Sequence, residues 1–390
     1  MLSIYQSKGI MGGMNAVSPL TENIAPPGLK GLIVADTEVG SVRGDEGWFH
    51  YRGRNAASLA RNLSFEEVAH LLLTGELPDS AAKEAFRAEL AAARRLTPEA
   101  AELVAALARS GLPPMSILRS VLGVEVDPRP SLDLDPDERR AAVIRAIGIT
   151  PTVLAAVNRI RSGSDPLVPD ESLSHSADYL RMTLGETPLP EHARAVETYL
   201  CLTADHGFNA STFTARVITS TGADVAGALG GALAALAGPL HGGAPGRVLD
   251  MLHTIGHPDN AVPWIAAELE AGRKIMGFGH AVYRADDPRS ETLKAMAIEL
   301  GGELVERALD IESRILAYLA EWKPEAVIVT NVEYYAGVVL HLAGLPQEAF
   351  TPTFTTSRVV GWGAHLLEQA ANNKIIRPSA RYTGHLHNGD

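Results

Sequence analysis

The sequence predicts a mainly α-helical protein with one small β-hairpin near its N-terminus, on three observations. Helix-start signatures recur along the chain, each answered by a Gly or Pro stop. The stretches between them are rich in Ala and Leu. Strand-like runs are few, short and close to the N-terminus.

Taken in order, residues 1–30 lack the apolar segment of a signal peptide. They run through Gly12, Gly13, Pro19, Pro26 and Pro27, and read as a loosely held arm. Leu32–Asp36 and Gly47–Tyr51 have strand character and fit a hairpin turning through Arg43-Gly44-Asp45. Ser64-Phe-Glu-Glu67 is a capping box ahead of Val68 and Leu71–Leu73, and Gly75 stops that helix. Thr97-Pro98 opens a helix that Gly111 and Pro113-Pro114 end. Asp135-Pro-Asp-Glu138 supplies a cap, an N1 proline and an N3 acid before Ala141, Val143, Ile144 and Ile147. Thr150-Pro151 opens the next helix, because proline lacks the N–H an interior position needs. Further helices are expected at about 171–184, 190–206, 209–220, 223–237, 245–255, 261–272, 291–321, 331–343 and 354–372.

Bulk properties narrow the function. A chain of 390 residues can bury a large core and fits two domains. Its formal charge of −12 argues against nucleic-acid or membrane-surface binding. An anionic substrate would need a local Arg cluster. A single cysteine, Cys201, excludes an internal disulfide, reads as buried and inert, and fits a reducing, cytoplasmic compartment. The longest apolar run, Val225–Leu240, falls short of the ~20 residues of a membrane span. It is mostly Ala and Gly, so a close-packed buried helix is expected. The Ala/Gly helices at about 209–237 predict a tight interface, within the chain or across a dimer.

Three stretches concentrate ionisable groups beside Gly or Pro: Gly238-Pro-Leu-His-Gly-Gly-Ala244, Met276-Gly-Phe-Gly-His-Ala-Val-Tyr-Arg-Ala-Asp-Asp-Pro-Arg289, and Asn331-Val-Glu-Tyr-Tyr-Ala-Gly337. His241 precedes a helix N-terminus, where a neutral imidazole can donate to a developing enolate oxygen. The same position suits a capping or core histidine. His280 lies between exposed Gly amides and two arginines, Arg284 and Arg289, which suit a carboxylate or phosphate. Exposed salt bridges to Asp286 and Asp287 are the alternative. The stretch is not a G-x-G-x-x-G fingerprint, since its last position is Val282. His206 sits at a helix break and also suits a cap. Arg358 and Arg377 each follow apolar or small residues, atypical of a solvated face. His253 and His257 have helical metal-pair spacing, but Gly256 and Pro258 break that helix, so no metal site is expected.

In this order the motifs resemble the citrate synthase family, in its bacterial citrate/2-methylcitrate synthase branch. Gly28-Leu-Lys-Gly-Leu-Ile-Val-Ala-Asp-Thr37, Tyr51-Arg-Gly53 and Phe65–Leu72 look like the family's opening. Leu240-His-Gly-Gly-Ala244, Gly277-Phe-Gly-His-Ala-Val-Tyr-Arg284 and Asp287-Pro-Arg289 look like its active-site signature. Arg358, Trp362 and Arg377-Pro378 follow in the family's order, and the resemblance runs from about Gly28 to Gly384.

The resemblance implies a citrate-synthase-like two-domain helical fold: an arm at 1–30, a large domain from 31–243 and 347–390, and a small domain at 244–346. It implies a homodimer that condenses an acyl-CoA with oxaloacetate and hydrolyses the thioester, as in the tricarboxylic acid cycle, with CoA as substrate and no further cofactor. On it, His241 polarises the thioester carbonyl and His280 acts on the ketone of oxaloacetate. His206, Arg289 and Arg358 hold the carboxylates, with Arg377 reaching in from the partner subunit. Lys274, Ile275, Met276, Gly277, Phe278 and Gly279 line the CoA nucleotide through backbone groups, and Arg284 meets a phosphate.

One position departs. The family's usual base is an Asp in an Asn-Val-Asp stretch, and here it is Glu333. The carboxylate chemistry is retained with one extra methylene of reach. Since a ~1 Å misplacement of a base costs about 10²-fold in rate, the departure bears on rate and substrate rather than fold. Acetyl-CoA and propionyl-CoA differ by one methylene, worth only ~1–3 kcal/mol in an apolar pocket, so 2-methylcitrate synthesis is the near alternative. A low-activity paralogue that binds CoA or oxaloacetate is the alternative of another class.

Overall fold

The computed structural model describes residues 24–239, 241, 245–279 and 285–385. The chain divides into two units, Met1–Asp36 and Thr37–Asp390. Within the first, Pro27–Leu29 forms a single 3-10 turn and Ile24, Leu32 and Ile33 are exposed. The second holds sixteen described α-helices and one three-stranded antiparallel sheet.

The expected hairpin exists, with a corrected first strand. Gly40–Arg43 pairs with Trp48–Tyr51 in the register Gly40↔Tyr51 to Arg43↔Trp48, and Arg54–Asn55 adds the third strand. Leu32–Asp36 forms no strand. Its apolar run misleads because pairing is decided elsewhere. A Cβ at Gly40 would lie 2.8 Å from the His50 carbonyl and 2.9 Å from Asp205 Oδ2, so the strand is seated by close packing that local pattern does not reveal. Phe49 and Tyr51 point inward by strand alternation. The Tyr51 hydroxyl lies 3.0 Å from the carbonyls of both Cys201 and Asp205, tying the sheet to the end of the helix Pro190–Thr203.

Most helix starts follow their signatures. Ser64 and Asp135 each close a full capping box, with Glu67 and Glu138 reaching back to the cap amide. Three expectations are corrected. Pro136–Arg161 is one helix of 26 residues running through Pro151, not two. Its middle is buried on every side, and burial outweighs the lost proline hydrogen bond. Gly148 lies against the Ala93 backbone, where a Cβ would sit 2.6 Å away, and Thr152 Oγ1 donates to the Arg94 carbonyl at 2.8 Å. That helix is long and apolar enough to cross a membrane, yet most of it is buried inside the protein, as a core helix is. The span expected at 291–321 is two helices, Pro288–Leu300 and Glu303–Trp322, parted by Gly301 and Gly302 at φ 69° and 99°. Pro114 does not only stop a helix; it opens another, Pro114–Glu125. Ala56–Asn62 and Ser80–Ala92 are further helices that the sequence reading omits.

Phe350–Ala371 is the central helix, buried along most of its length. It packs on Phe65–Thr74, Pro136–Arg161, Pro190–Thr203 and Ala210–Ser220. The Ala/Gly helices pack on each other: Gly231 of Val225–Leu236 faces Ile218 of Ala210–Ser220 so closely that a Cβ would meet its Cδ1. Cys201 is fully buried, and burial pushes its thiol well above the ordinary value, as an inert core cysteine requires. Val332–Leu342 packs on Pro190–Thr203, Pro245–Ile255 and Pro288–Leu300. The site lies where these helices meet the central one.

Candidate active site

A cavity of about 230 Å³ is lined by His206, His241, Arg289, Glu333 and Arg358, five of the residues singled out from sequence. Beside it runs an open groove of about 330 Å³ lined by Lys274 to Gly279 together with Leu269, Arg273 and Trp322. Glu333 and its neighbour Asn331 line both spaces. Arg377 is exposed and does not line this chain's own cavity. His280 and Arg284 lie outside the described residues.

Glu333 is the second residue of Val332–Leu342. Asn331 caps that helix, its Oδ1 accepting from the Glu333 amide at 3.0 Å. A carboxylate there faces the positive end of the helix dipole. Burial nevertheless raises its pKa above the ordinary carboxyl value, against the pull of Arg289 and then Arg247. Asn331 also stitches the groove to the cavity. Its amide donates to the Gly277 carbonyl and its Nδ2 to the Gly279 carbonyl, both at 2.9 Å, while the Gly279 amide donates to Val329 at 2.8 Å. Gly277 sits at φ 84°, and a Cβ there would lie 2.8 Å from the Tyr334 ring, so glycine is required twice over.

Asp287, Pro288 and Arg289 form the N-terminus of Pro288–Leu300, with Asp287 as the cap. Arg289 donates Nε to Asp287 Oδ1 at 3.0 Å and a terminal nitrogen to Oδ2 at 2.8 Å. Asp287 Oδ2 also accepts from the Val332 amide at 3.2 Å, which fixes Arg289 relative to Glu333. Asp287 and Arg289 are 1% and 4% exposed, so this pair is not the solvated salt bridge that was the alternative.

Arg358 occupies the buried middle of the central helix. Its Nε donates to the Thr203 carbonyl at 2.8 Å, a group left open at the end of Pro190–Thr203, and its guanidinium lies 4.6 Å over Phe354. Burial lowers its pKa, partly offset by Asp205, yet an arginine remains charged at neutral pH.

His206 follows the end of the same helix, its ring edge-on to Phe49 at 5.5 Å. Behind it stands a buried set that sequence reading missed. Arg216 donates to His365 Nδ1 at 3.2 Å, and His365 Nε2 faces Asp205 Oδ1 at 3.3 Å. Burial alone would raise the Asp205 carboxyl. His365 and Arg358 outweigh it and hold the group below its ordinary value.

His241 meets Ser211. Nε2 lies 2.8 Å from Ser211 Oγ and accepts from the Ser211 amide at 3.4 Å, while Trp362 Nε1 donates to Ser211 Oγ at 3.1 Å. A ring accepting at Nε2 carries its proton on Nδ1. Burial first, then Arg358, holds the imidazole below its ordinary pKa, so it is neutral near pH 7.

Two cations, a raised carboxyl and a neutral imidazole therefore converge on one cavity that opens into a glycine-lined groove. The family model "Citrate synthase, C-terminal domain" matches residues 28–379. The chain belongs to the citrate synthase family. It is 39% identical to the citrate synthase of Haloferax volcanii, over 92% of this chain and 95% of the relative. It is 40% identical to the 2-methylcitrate synthase of Mycobacterium tuberculosis, over 92% and 90%. Among solved structures, the citrate synthase of Thermotoga maritima superposes with a TM-score of 0.82 at 35% identity, covering 92% of this chain and 96% of that one. A ternary complex of carboxymethyl coenzyme A and oxaloacetate with the citrate synthase of Thermoplasma acidophilum superposes with a TM-score of 0.84 at 26% identity, covering 95% and 98%. The family's mainly helical architecture is the one described above.

Asn331, Ser211 and Tyr199 carry parts of this site that the sequence reading did not single out. Asn331 had a visible signal, since Asn two residues before an acid at a helix start is a cap. The other two are recognisable only once distant helices are brought together.

Proposed function

We propose that this protein condenses acetyl-CoA with oxaloacetate and hydrolyses the product to citrate and CoA. The observation that carries this reading is the position of Glu333 on both the cationic cavity and the glycine-lined groove. A base there can reach the α-carbon of a thioester in the groove while a keto-diacid occupies the cavity.

The Glu333 carboxylate takes the α-proton. A base raised toward neutral pH is the better proton acceptor for so weak an acid. His241 Nδ1–H donates to the developing enolate oxygen, and such a donor typically contributes roughly 10²–10³ in rate. Arg289, Arg358 and His206 hold the oxaloacetate carboxylates. The enolate carbon attacks the ketone carbon, whose oxygen takes a proton from His280. Water then cleaves the thioester and releases CoA as the thiol. Lys274 to Gly279 line the CoA, Arg284 meets a phosphate, and Arg377 enters from a second copy of the chain. This reading includes a cytoplasmic homodimer, the domain division at 244–346, and no metal or prosthetic group.

The 40% identity to a 2-methylcitrate synthase supports the second reading, in which propionyl-CoA is the acyl donor. A free-thiol release assay with oxaloacetate, comparing acetyl-CoA and propionyl-CoA, decides between them. Faster turnover of propionyl-CoA would replace the first reading with the second. Thiol release from neither would leave the binding paralogue.

A further inference from the structure

Among the described residues five tyrosines are almost fully buried, and four of them are satisfied. Tyr51 meets two carbonyls, Tyr179 meets Thr353 Oγ1 at 2.8 Å, Tyr334 donates to the Ala308 carbonyl at 2.7 Å, and Tyr335 donates to Glu312 at 2.5 Å. Tyr199 is the exception. It is 1% exposed, it lines the cavity, and its hydroxyl has no hydrogen-bond partner among the described residues. Burying an unsatisfied hydroxyl is costly, and phenylalanine would fill the same volume without that cost.

The hydroxyl is placed among the charges of the site. Arg358, Glu333 and Arg289 all act on it electrostatically, and burial keeps it protonated. Its helix turn is also the one that anchors Arg358: Thr203 Oγ1 donates to the Tyr199 carbonyl at 2.8 Å, and the Thr203 carbonyl accepts from Arg358. A phenol donor that lines the same cavity as two guanidinium groups is chemically matched to an anionic oxygen.

We propose that Tyr199 is a substrate-binding residue whose hydroxyl donates to a carboxylate oxygen of the keto-diacid held by Arg289 and Arg358. This rests on the proposed function, and it makes Tyr199 a discriminator for dianionic over monoanionic keto acids. A keto acid with one carboxylate forgoes some of the charged contacts that Arg289, Arg358 and Tyr199 offer the diacid.

The test is Tyr199→Phe in the full-length protein, with three readouts: oxaloacetate affinity by calorimetry, KM for each substrate, and the thermal midpoint without ligand. Loss of a hydrogen bond to a charged group should weaken oxaloacetate binding and raise its KM by about 10- to 100-fold. The acyl-CoA KM should stay within about twofold, and the unliganded midpoint should equal or exceed wild type, since an unsatisfied group has been removed. Unchanged oxaloacetate affinity would overturn the assignment. So would a rise confined to the acyl-CoA KM, or a fall in the unliganded midpoint. Wild-type protein that binds oxaloacetate but releases no thiol would refute the proposed reaction while the calorimetric comparison still decides on Tyr199.

Discussion

Glu333 is one methylene longer than the family's Asp, and its surroundings leave the backbone little freedom to absorb the difference. Asn331 pins the helix start to Gly277 and Gly279, and Asp287 holds the Val332 amide. The longer side chain is therefore matched to a fixed backbone, and Glu333→Asp should fall short of the α-proton and lose about 10²-fold in kcat. Activity equal to wild type would show that the backbone keeps the geometry of an Asp enzyme. Glu333→Gln keeps the shape and removes the acceptor, so kcat should fall by about 10²–10⁴ with oxaloacetate affinity nearly unchanged. The pH profile follows from burial. Because the folded carboxyl is raised, the acid limb of kcat/KM should lie above the ordinary glutamate range, with activity lost as pH falls through it. Stability runs the other way. A raised carboxyl stabilises the fold at low pH, and that contribution is lost as pH rises through its folded value. The Gln variant should thus match or exceed wild-type stability near pH 8. A lower melting temperature there would contradict the buried-charge account.

At the scale of elements, the site is an assembly of helix ends. Asn331 and Asp287 cap two helices, His206 follows the end of a third, and Arg358 reaches the last carbonyl of that same helix. Asn331→Ala removes the cap and the side-chain tie to the Gly279 carbonyl, and leaves the backbone bond to Gly277. A cap is worth about 1 kcal/mol, so the melting temperature should drop modestly. The acyl-CoA KM should rise more than the oxaloacetate KM, because the severed side-chain bond to Gly279 belongs to the groove. Equal increases in both would mean that the loop does not depend on Asn331. This is also the scale at which the sequence was most and least legible. Caps and glycine stops are local, so Ser64, Asp135 and Gly75 were readable. Pro151 misled because proline's local cost is outweighed by burial on all sides, which no window of sequence contains. The first strand was displaced for the same reason, since Gly40 answers to His50 and Asp205. His206, His241 and Arg289 drew notice because each stands beside Gly or Pro, and Arg358 because it follows small residues; all four line one cavity. Tyr199 and His365 were not, because each looks like an ordinary apolar-face residue until helices distant in sequence pack together.

At the scale of the whole molecule, Arg377 decides whether one chain suffices. It is exposed, and it lies outside the cavity formed by its own chain, whereas the other described candidates for the oxaloacetate site line that cavity. If a second copy supplies it, light scattering should give a dimer of the 41.4 kDa chain. A sharper test mixes two inactive variants. Arg377→Ala should lose oxaloacetate binding and Glu333→Gln should lose proton abstraction, so each alone is nearly dead. In a C2 dimer that shares its sites, a mixed pair carries one site with both defects and one with neither. Unfolding and refolding an equimolar mixture makes about half the dimers mixed, so activity should recover to about a quarter of wild type. If Arg377 instead folds back onto its own chain, every site in the mixture carries one defect and no activity returns. A mixture that stays inactive while light scattering still reports a dimer would therefore remove Arg377 from the shared site without touching the assembly itself.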